Sequence, residues 1–267
     1  MLTYDPLTVF ETSVTPPGLY ARKKWLGQED TPAWRADFRA TVASLVRGQG
    51  SDGSWNGSVV DTIQRLFGLH LTLREPDDEI HRALDWLMSQ TREIAGKPGR
   101  FGRGPRADDL RGLPFSPGRF ERLVSGATLF LAAIFGREAR PEVLTLYRQL
   151  SREGIERKGR WCGWSCSNNV LRAFVVHPVY RQDEATLMAV KTLSRVQRPS
   201  GEWPGGVPFF QTVNALAHLT MEEADTQVEA AFQRLRKTQN MDGTWGRSQP
   251  EWSTFLVVHA FKNKGIL

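Results

Sequence analysis

The chain has 267 residues, 40% hydrophobic and 24% charged, with a formal net charge of +6 and two cysteines. That length buries a large core in one domain or two. Two thiols, Cys162 and Cys166, make no disulfide framework and at most half of a structural zinc site; they are expected to be small, buried or half-buried side chains.

Residues 1–33 follow no steady period and are expected to form an irregular segment packed on the rest of the chain. No apolar run approaches the roughly 18 residues of a membrane span. The opening Met1-Leu2-Thr3-Tyr4-Asp5-Pro6 lacks a signal-peptide pattern. The expectation is a cytoplasmic protein with no integral membrane segment, peripheral membrane contact being left open. From Trp34 to Arg47, the side chains Trp34, Phe38, Val42, Leu45 and Val46 recur at helical spacing. A turn at Gln49–Trp55 leads to Val59, Val60, Ile63, Leu66, Phe67 and Leu71, a helix apolar over much of its surface. Asp77 to Gln90 reads as a further helix with Ile80, Ala83, Leu84 and Leu87 on one face.

The pattern stretches at 96–118, where six glycines and four prolines forbid continuous helix. A long loop in a compact domain is usually functional or disordered. Between Arg92 and Arg122 eight basic side chains stand against four acidic ones, so most of the net charge sits there and suggests an anionic partner. Helix resumes from about Arg119 to Phe135. Pro141 opens another, with Val143, Leu144, Tyr147 and Leu150 on its buried face. Gly159-Arg160-Trp161 is a degenerate turn before a helix at 166–176. Pairs at 184–197 with 209–220, and at 223–239 with 251–262, complete five helical hairpins.

Three turns say nearly the same thing: Gln49-Gly50-Ser51-Asp52-Gly53-Ser54-Trp55, Gln197-Arg198-Pro199-Ser200-Gly201-Glu202-Trp203 and Gln239-Asn240-Met241-Asp242-Gly243-Thr244-Trp245. Recurrence between helix pairs marks a repeat architecture. The Gln amide is suited to satisfying loose backbone groups, the Gly to a positive φ, and the Trp to packing against the neighbouring hairpin.

Gln-x3-Gly-x-Trp turns joining helices in this way resemble the QW repeats of squalene and other terpenoid cyclases, and the same α/α toroid builds protein prenyltransferase subunits. The resemblance covers roughly Trp34 to the C-terminus. It implies an all-α, α/α toroid at 34–267, built from five or six hairpins as inner and outer helix rings. It also implies an apolar central cavity, with the chemistry at the N-terminal ends of the inner helices. Those positions are Asp61-Thr62, Cys166-Ser167, Gln211-Thr212 and Ser253-Thr254, with Val124-Ser125 a looser equivalent. Converging helix N-termini suit a diphosphate or carboxylate.

The catalytic patterns of the family do not carry over. Arg106-Ala107-Asp108-Asp109 has Arg where an Asp-x-Asp-Asp motif needs its first Asp. No Asp-x-Cys pair is present, and Ser253 stands where a zinc His would be. The resemblance therefore implies a protein that binds an isoprenoid, free or as a prenyl diphosphate. Protonation by Asp61, Asp108 or Asp109 would start a cyclisation or isomerisation.

Arg100, Arg103, Arg106 and Arg111 are the candidates to clasp a diphosphate. Cys166, Gln211, Ser253, Trp164, Phe210 and Trp252 are the candidates to line the substrate site. No metal site or cofactor is expected beyond magnesium beside a diphosphate. His70, His177, His218 and His259 read as core or helix C-terminal histidines away from that mouth. The alternative is a noncatalytic toroid, a lipid carrier or protein-interaction scaffold. A polysaccharide-cleaving pair, Asp61 and Glu251, conflicts with the apolar inner helices. Nucleic acid fits poorly, because the basic residues concentrate in one loop that carries no recognised binding motif.

Overall fold

The computed structural model describes residues 2–73, 75–95 and 104–267. Among these it is all-helical, with eleven α-helices and no named strand. They are α1 (Pro16–Lys24), α2 (Pro32–Val46), α3 (Val59–Thr72), α4 (Asp78–Ala95), α5 (Phe120–Ile134) and α6 (Pro141–Glu156). α7 (Trp164–Val176), α8 (Glu184–Val196), α9 (Phe209–Leu216), α10 (Glu222–Lys237) and α11 (Pro250–Asn263) follow. All ten helices expected from the sequence are present, α9 ending four residues early.

The eleventh, α1, corrects the expectation that residues 1–33 are irregular. Pro16, Pro17 and Gly18 look like helix breakers, yet both prolines stand in the first turn, where a missing N–H costs nothing. Thr15 caps that turn by accepting from the Gly18 N–H at 3.1 Å. Ser13 lies where a Gly18 side chain would be.

α3, α5, α7 and α11 bury most of their length, whereas α4, α6, α8 and α10 bury one face each. The packing partners of α1, α3, α5, α7, α9 and α11 run in a closed cycle. α1 lies on α3, α3 on α5, α5 on α7, α7 on α9, α9 on α11 and α11 on α1. The remaining helices flank members of this cycle. One continuous apolar core joins them. The 104–118 segment contributes Leu110, Leu113 and Phe115 to it, so the second half of the long loop is anchored inside the protein.

The repeated turns explain the regularity. Gln49 Nε2 donates to Gly53 O at 3.0 Å and to Glu79 O, at the start of α4, at 2.8 Å. Gln197 donates to Gly201 O and to Gln227 O of α10 at 3.1 and 2.9 Å. Gln239 donates to Gly243 O at 3.0 Å and to Tyr4 O at 2.9 Å, so the last turn grips the N-terminal segment as the others grip the following helix. Each Gln thus closes its own turn and bolts it to the neighbouring element.

The turn glycines have φ of 90° at Gly53, 83° at Gly201 and 83° at Gly243. A side chain on Gly201 would lie 2.1 Å from Ala230 O, and one on Gly243 2.3 Å from Asp5 O. Both the dihedral and the close approach require glycine.

The tryptophans are buried, and each covers on the order of 200 Å² of apolar surface. At about 25 cal/mol per Å² this contributes roughly 5 kcal/mol per ring before ordering entropy is counted. Trp203 and Trp245 donate through Nε1 to the carbonyls of Leu193 and Leu235 at 3.1 and 2.9 Å. Trp161 of the degenerate turn donates likewise to Leu150 O at 2.7 Å. Trp55 differs: its Nε1 is buried without a partner, and Leu45 O, in the equivalent place, accepts from Arg65 at 3.4 Å.

Candidate functional site

The helix starts that follow the turns are largely committed to holding the turns together. The recurring hydroxyls serve the backbone. Thr62 Oγ1, Ser167 Oγ and Thr254 Oγ1 accept from the backbone N–H of Trp55, Trp161 and Trp245 at 3.1, 3.2 and 3.0 Å. Asp61 is half-buried in the first turn of α3, where Asn56 Nδ2 donates to its carboxylate at 2.8 Å. Its own N–H donates to Ser58 Oγ at 3.2 Å.

Asp108 is exposed and pairs with Arg111 at 2.9 Å. Asp109, also exposed, accepts from the Arg106 N–H at 2.8 Å and caps a short 3-10 helix, Ala107–Leu110. The three carboxylates expected from the sequence to be catalytic stay apart from the central cavity. Arg106 and Arg111 sit at the surface, Arg111 already neutralised by Asp108. Arg100 and Arg103 lie outside the described residues.

The other candidates scatter. Cys166 and Cys162 are joined by a disulfide, which corrects the expectation of two separate small side chains. Their four-residue spacing spans the entry to α7 and brings the Cα atoms to 5.9 Å. Trp164 lies under the Arg160 guanidinium, 4.3 Å from its ring centre. Gln211 offers its backbone carbonyl to Arg172 at 2.9 Å. Phe210 packs on Phe209, ring centres 5.5 Å apart, at a surface groove beside Trp203 and Arg247. Ser253 is buried against Gly246. Among the described residues, Trp252 alone of the sequence candidates lines the central cavity.

That cavity, about 230 Å³, lies within the cycle of α1, α3, α5, α7, α9 and α11, toward the later turns of α3, α5 and α7. Phe67, Leu71, Phe130, Ile134, Val176, Trp252, Phe255 and Leu256 make it chiefly apolar and aromatic. Its polar lining is Tyr20, His70, Arg172, Asn214, His218 and His259, with no carboxylate among them. A larger groove of about 660 Å³ shares Phe67, Leu71 and Trp252 with the cavity. It runs past Pro16, Pro17, Leu45 and Leu113 at the first turns of α1 and α11. Phe67 and Trp252 meet edge to face at 5.8 Å and form the wall between the two spaces.

Arg172 is 2% exposed. It donates to Asn214 Oδ1 at 2.6 Å and to Gln211 O at 2.9 Å, both neutral acceptors, while its Nε is buried without a partner. Burial lowers its pKa to about 9, which still leaves a cation at neutral pH. Asn214 is held in turn by donating to Leu256 O at 2.9 Å, and it meets His259 Nδ1 at 3.4 Å. His218 and His259 lie 5.3 Å apart, centre to centre. Burial first, then the proximity of His259, Arg172, Lys264 and His70, holds His218 well below the ordinary histidine range. It is therefore neutral at pH 7. Among the described residues, no group of three or more histidine, cysteine or carboxylate side chains is placed to hold a metal ion.

The sequence places these histidines away from the expected mouth, yet it holds a signal that could have found them. His70 and His218 each stand fifteen positions after the Trp of their turn, and His259 fourteen after its own. Equal distance along equivalent helices places side chains at equal depth. Arg172 gives no such signal, because the degenerate turn before it obscures the register.

No family model and no curated protein matches the chain. A crystal structure of a protein from Actinoplanes is similar to it in fold, with a TM-score of 0.59 at 16% identity, over 96% of this chain and 90% of that one. At that identity the likeness concerns the fold alone.

Proposed function

We propose that the chain is an α/α toroid of the terpenoid-cyclase type that binds a small, largely apolar ligand in its central cavity and acts as a carrier for it. The toroid reading is supported by the closed cycle of helix contacts and by the Gln239 bond to Tyr4, which joins the last repeat to the first segment. In this reading α1 is the sixth inner element. The resemblance to isoprenoid-handling proteins supports an isoprenoid-like ligand.

The carrier reading rests on one observation: the aromatic cavity is lined by no carboxylate, and Asp61, Asp108 and Asp109 are engaged elsewhere. A proton donor for an alkene must reach it within hydrogen-bond range or through one water. The sequence-based proposal of protonation-initiated cyclisation thus has no acid at the cavity. The apolar lining with a few placed polar groups is the usual make-up of a small-molecule site.

Titration with farnesol, followed by tryptophan fluorescence because Trp252 lines the cavity, should give saturable one-to-one binding. Extraction should return the alcohol unchanged. Absence of saturable binding would sink the reading, and recovery of a cyclised or isomerised product would replace it with the enzyme.

A further inference from the structure

The polar end of the cavity has a defined charge. Arg172 is a buried cation whose hydrogen bonds go only to the neutral Asn214 Oδ1 and Gln211 O. None of the described ion pairs includes it, and no carboxylate lines the space around it. A buried cation without a counter-charge is costly, and loss of its partner from such a pair destabilises strongly. His70, His218 and His259 share the cavity, and Lys264 acts on His218 from the end of α11. Arg172 lines the cavity, and its Nε is fully desolvated without a partner, a buried donor that calls for an explanation.

We infer that the cavity takes a monoanionic amphiphile, an apolar chain ending in a carboxylate, with the carboxylate on Arg172 beside Asn214 and His259. This rests on the carrier reading and specifies its ligand. The charge count favours a carboxylate over a diphosphate. One guanidinium balances one negative charge, and His218 stays neutral next to it. A diphosphate brings further charge that normally needs a metal ion, and the cavity offers no acidic residue to hold one. The planar guanidinium fork also matches the two oxygens of a carboxylate. The larger groove between Pro16, Leu45 and Leu113 borders the cavity across Phe67 and Trp252.

The test compares three ligands of one chain length, farnesoic acid, farnesol and farnesyl diphosphate with magnesium, by calorimetric titration at pH 7.5. Replacing a neutral by a charged hydrogen-bonding partner predicts acid binding tighter than alcohol by about tenfold to a hundredfold. In Arg172→Met, whose flexible side chain fills the site without charge, the acid should lose that advantage over the alcohol, and an advantage kept by the variant would overturn the inference. Retained circular dichroism shows that the variant folds.

Equal binding of acid and alcohol by the wild-type protein would overturn the inference and leave the carrier reading standing, whatever the variant does. Tighter binding of the diphosphate would overturn it too. Binding of none of the three would remove the carrier reading with it.

Discussion

Gly201 is subject to two separate demands, and a second glycine allows them to be separated. Gly201 has φ of 83° and would bring a side-chain carbon to 2.1 Å from Ala230 O and 2.6 Å from Ala230 C, both rigid backbone atoms of α10. Gly48, at the end of α2, has φ of 79° with nothing within 4 Å of the same position. Gly48→Ala therefore adds the left-handed strain alone, about 1–2 kcal/mol. Gly201→Ala adds that strain and a clash more than an ångström inside ordinary contact.

Relief of the clash means moving α10 away from the turn, which stretches the Gln197 bond to Gln227 O, now 2.9 Å. Overpacking of this kind costs about 1–3 kcal/mol, so Gly201→Ala should lose roughly 2–5 kcal/mol in total. For a chain of this size each kcal/mol lowers Tm by about 2–4 °C. Urea unfolding followed by helical circular dichroism should give a lower midpoint for both variants at an unchanged slope, with Gly201→Ala clearly the lower. If it is no less stable than Gly48→Ala, the close approach of turn to helix is not what glycine serves there.

Three further outcomes are expected. Gln239→Leu removes the bonds to Tyr4 O and Gly243 O together with the one accepted from the Tyr4 N–H at 3.2 Å. It should cost about 1–3 kcal/mol and make the segment before α1 more sensitive to limited proteolysis. Cleavage there at the wild-type rate would deny that this Gln fastens the N-terminal segment. Stability should fall as pH drops below about 6.5. The unfolded chain then binds a proton on His218, while the folded chain, its imidazole surrounded by His259, Arg172, Lys264 and His70, does not. The slope from this group is at most about 1.4 kcal/mol per pH unit, and less where solvent reaches the ring. His218→Gln should flatten the dependence of the urea midpoint between pH 7.5 and 5.5, and an unaltered slope would exclude His218 as its source. Asp61→Asn should leave farnesol affinity within about twofold of wild type, since Asp61 bonds to Asn56 outside the cavity. A tenfold loss in a folded variant would place the binding site at the helix starts after all.

The fold was legible because its signals are local and repeated. A Gln-x3-Gly-x-Trp turn needs a donor, a positive φ and a flat ring within seven residues, and the Gln makes the same bond to the turn Gly carbonyl at Gln49, Gln197 and Gln239. α1 escaped because Pro16-Pro17-Gly18 has breaker chemistry in any position but the first turn of a helix, and only the Thr15 cap identifies that turn.

The sequence-based site and the proposed cavity differ for another reason. The helix starts looked chemically rich because polar residues gather there, and polar residues gather there because turns have backbone groups to satisfy. Thr62, Ser167 and Thr254 are consumed by the Trp N–H groups, and Asp61 by Asn56. The residues that tell of a ligand lie deeper. Arg172 is the sharpest case: a sequence shows a charged residue in an apolar helix but not whether a carboxylate from another helix meets it. Here none does, and Asn214, 42 positions away, meets it instead. That absence is a property of the assembled cycle, and it turns an ordinary arginine into the most informative residue of the cavity.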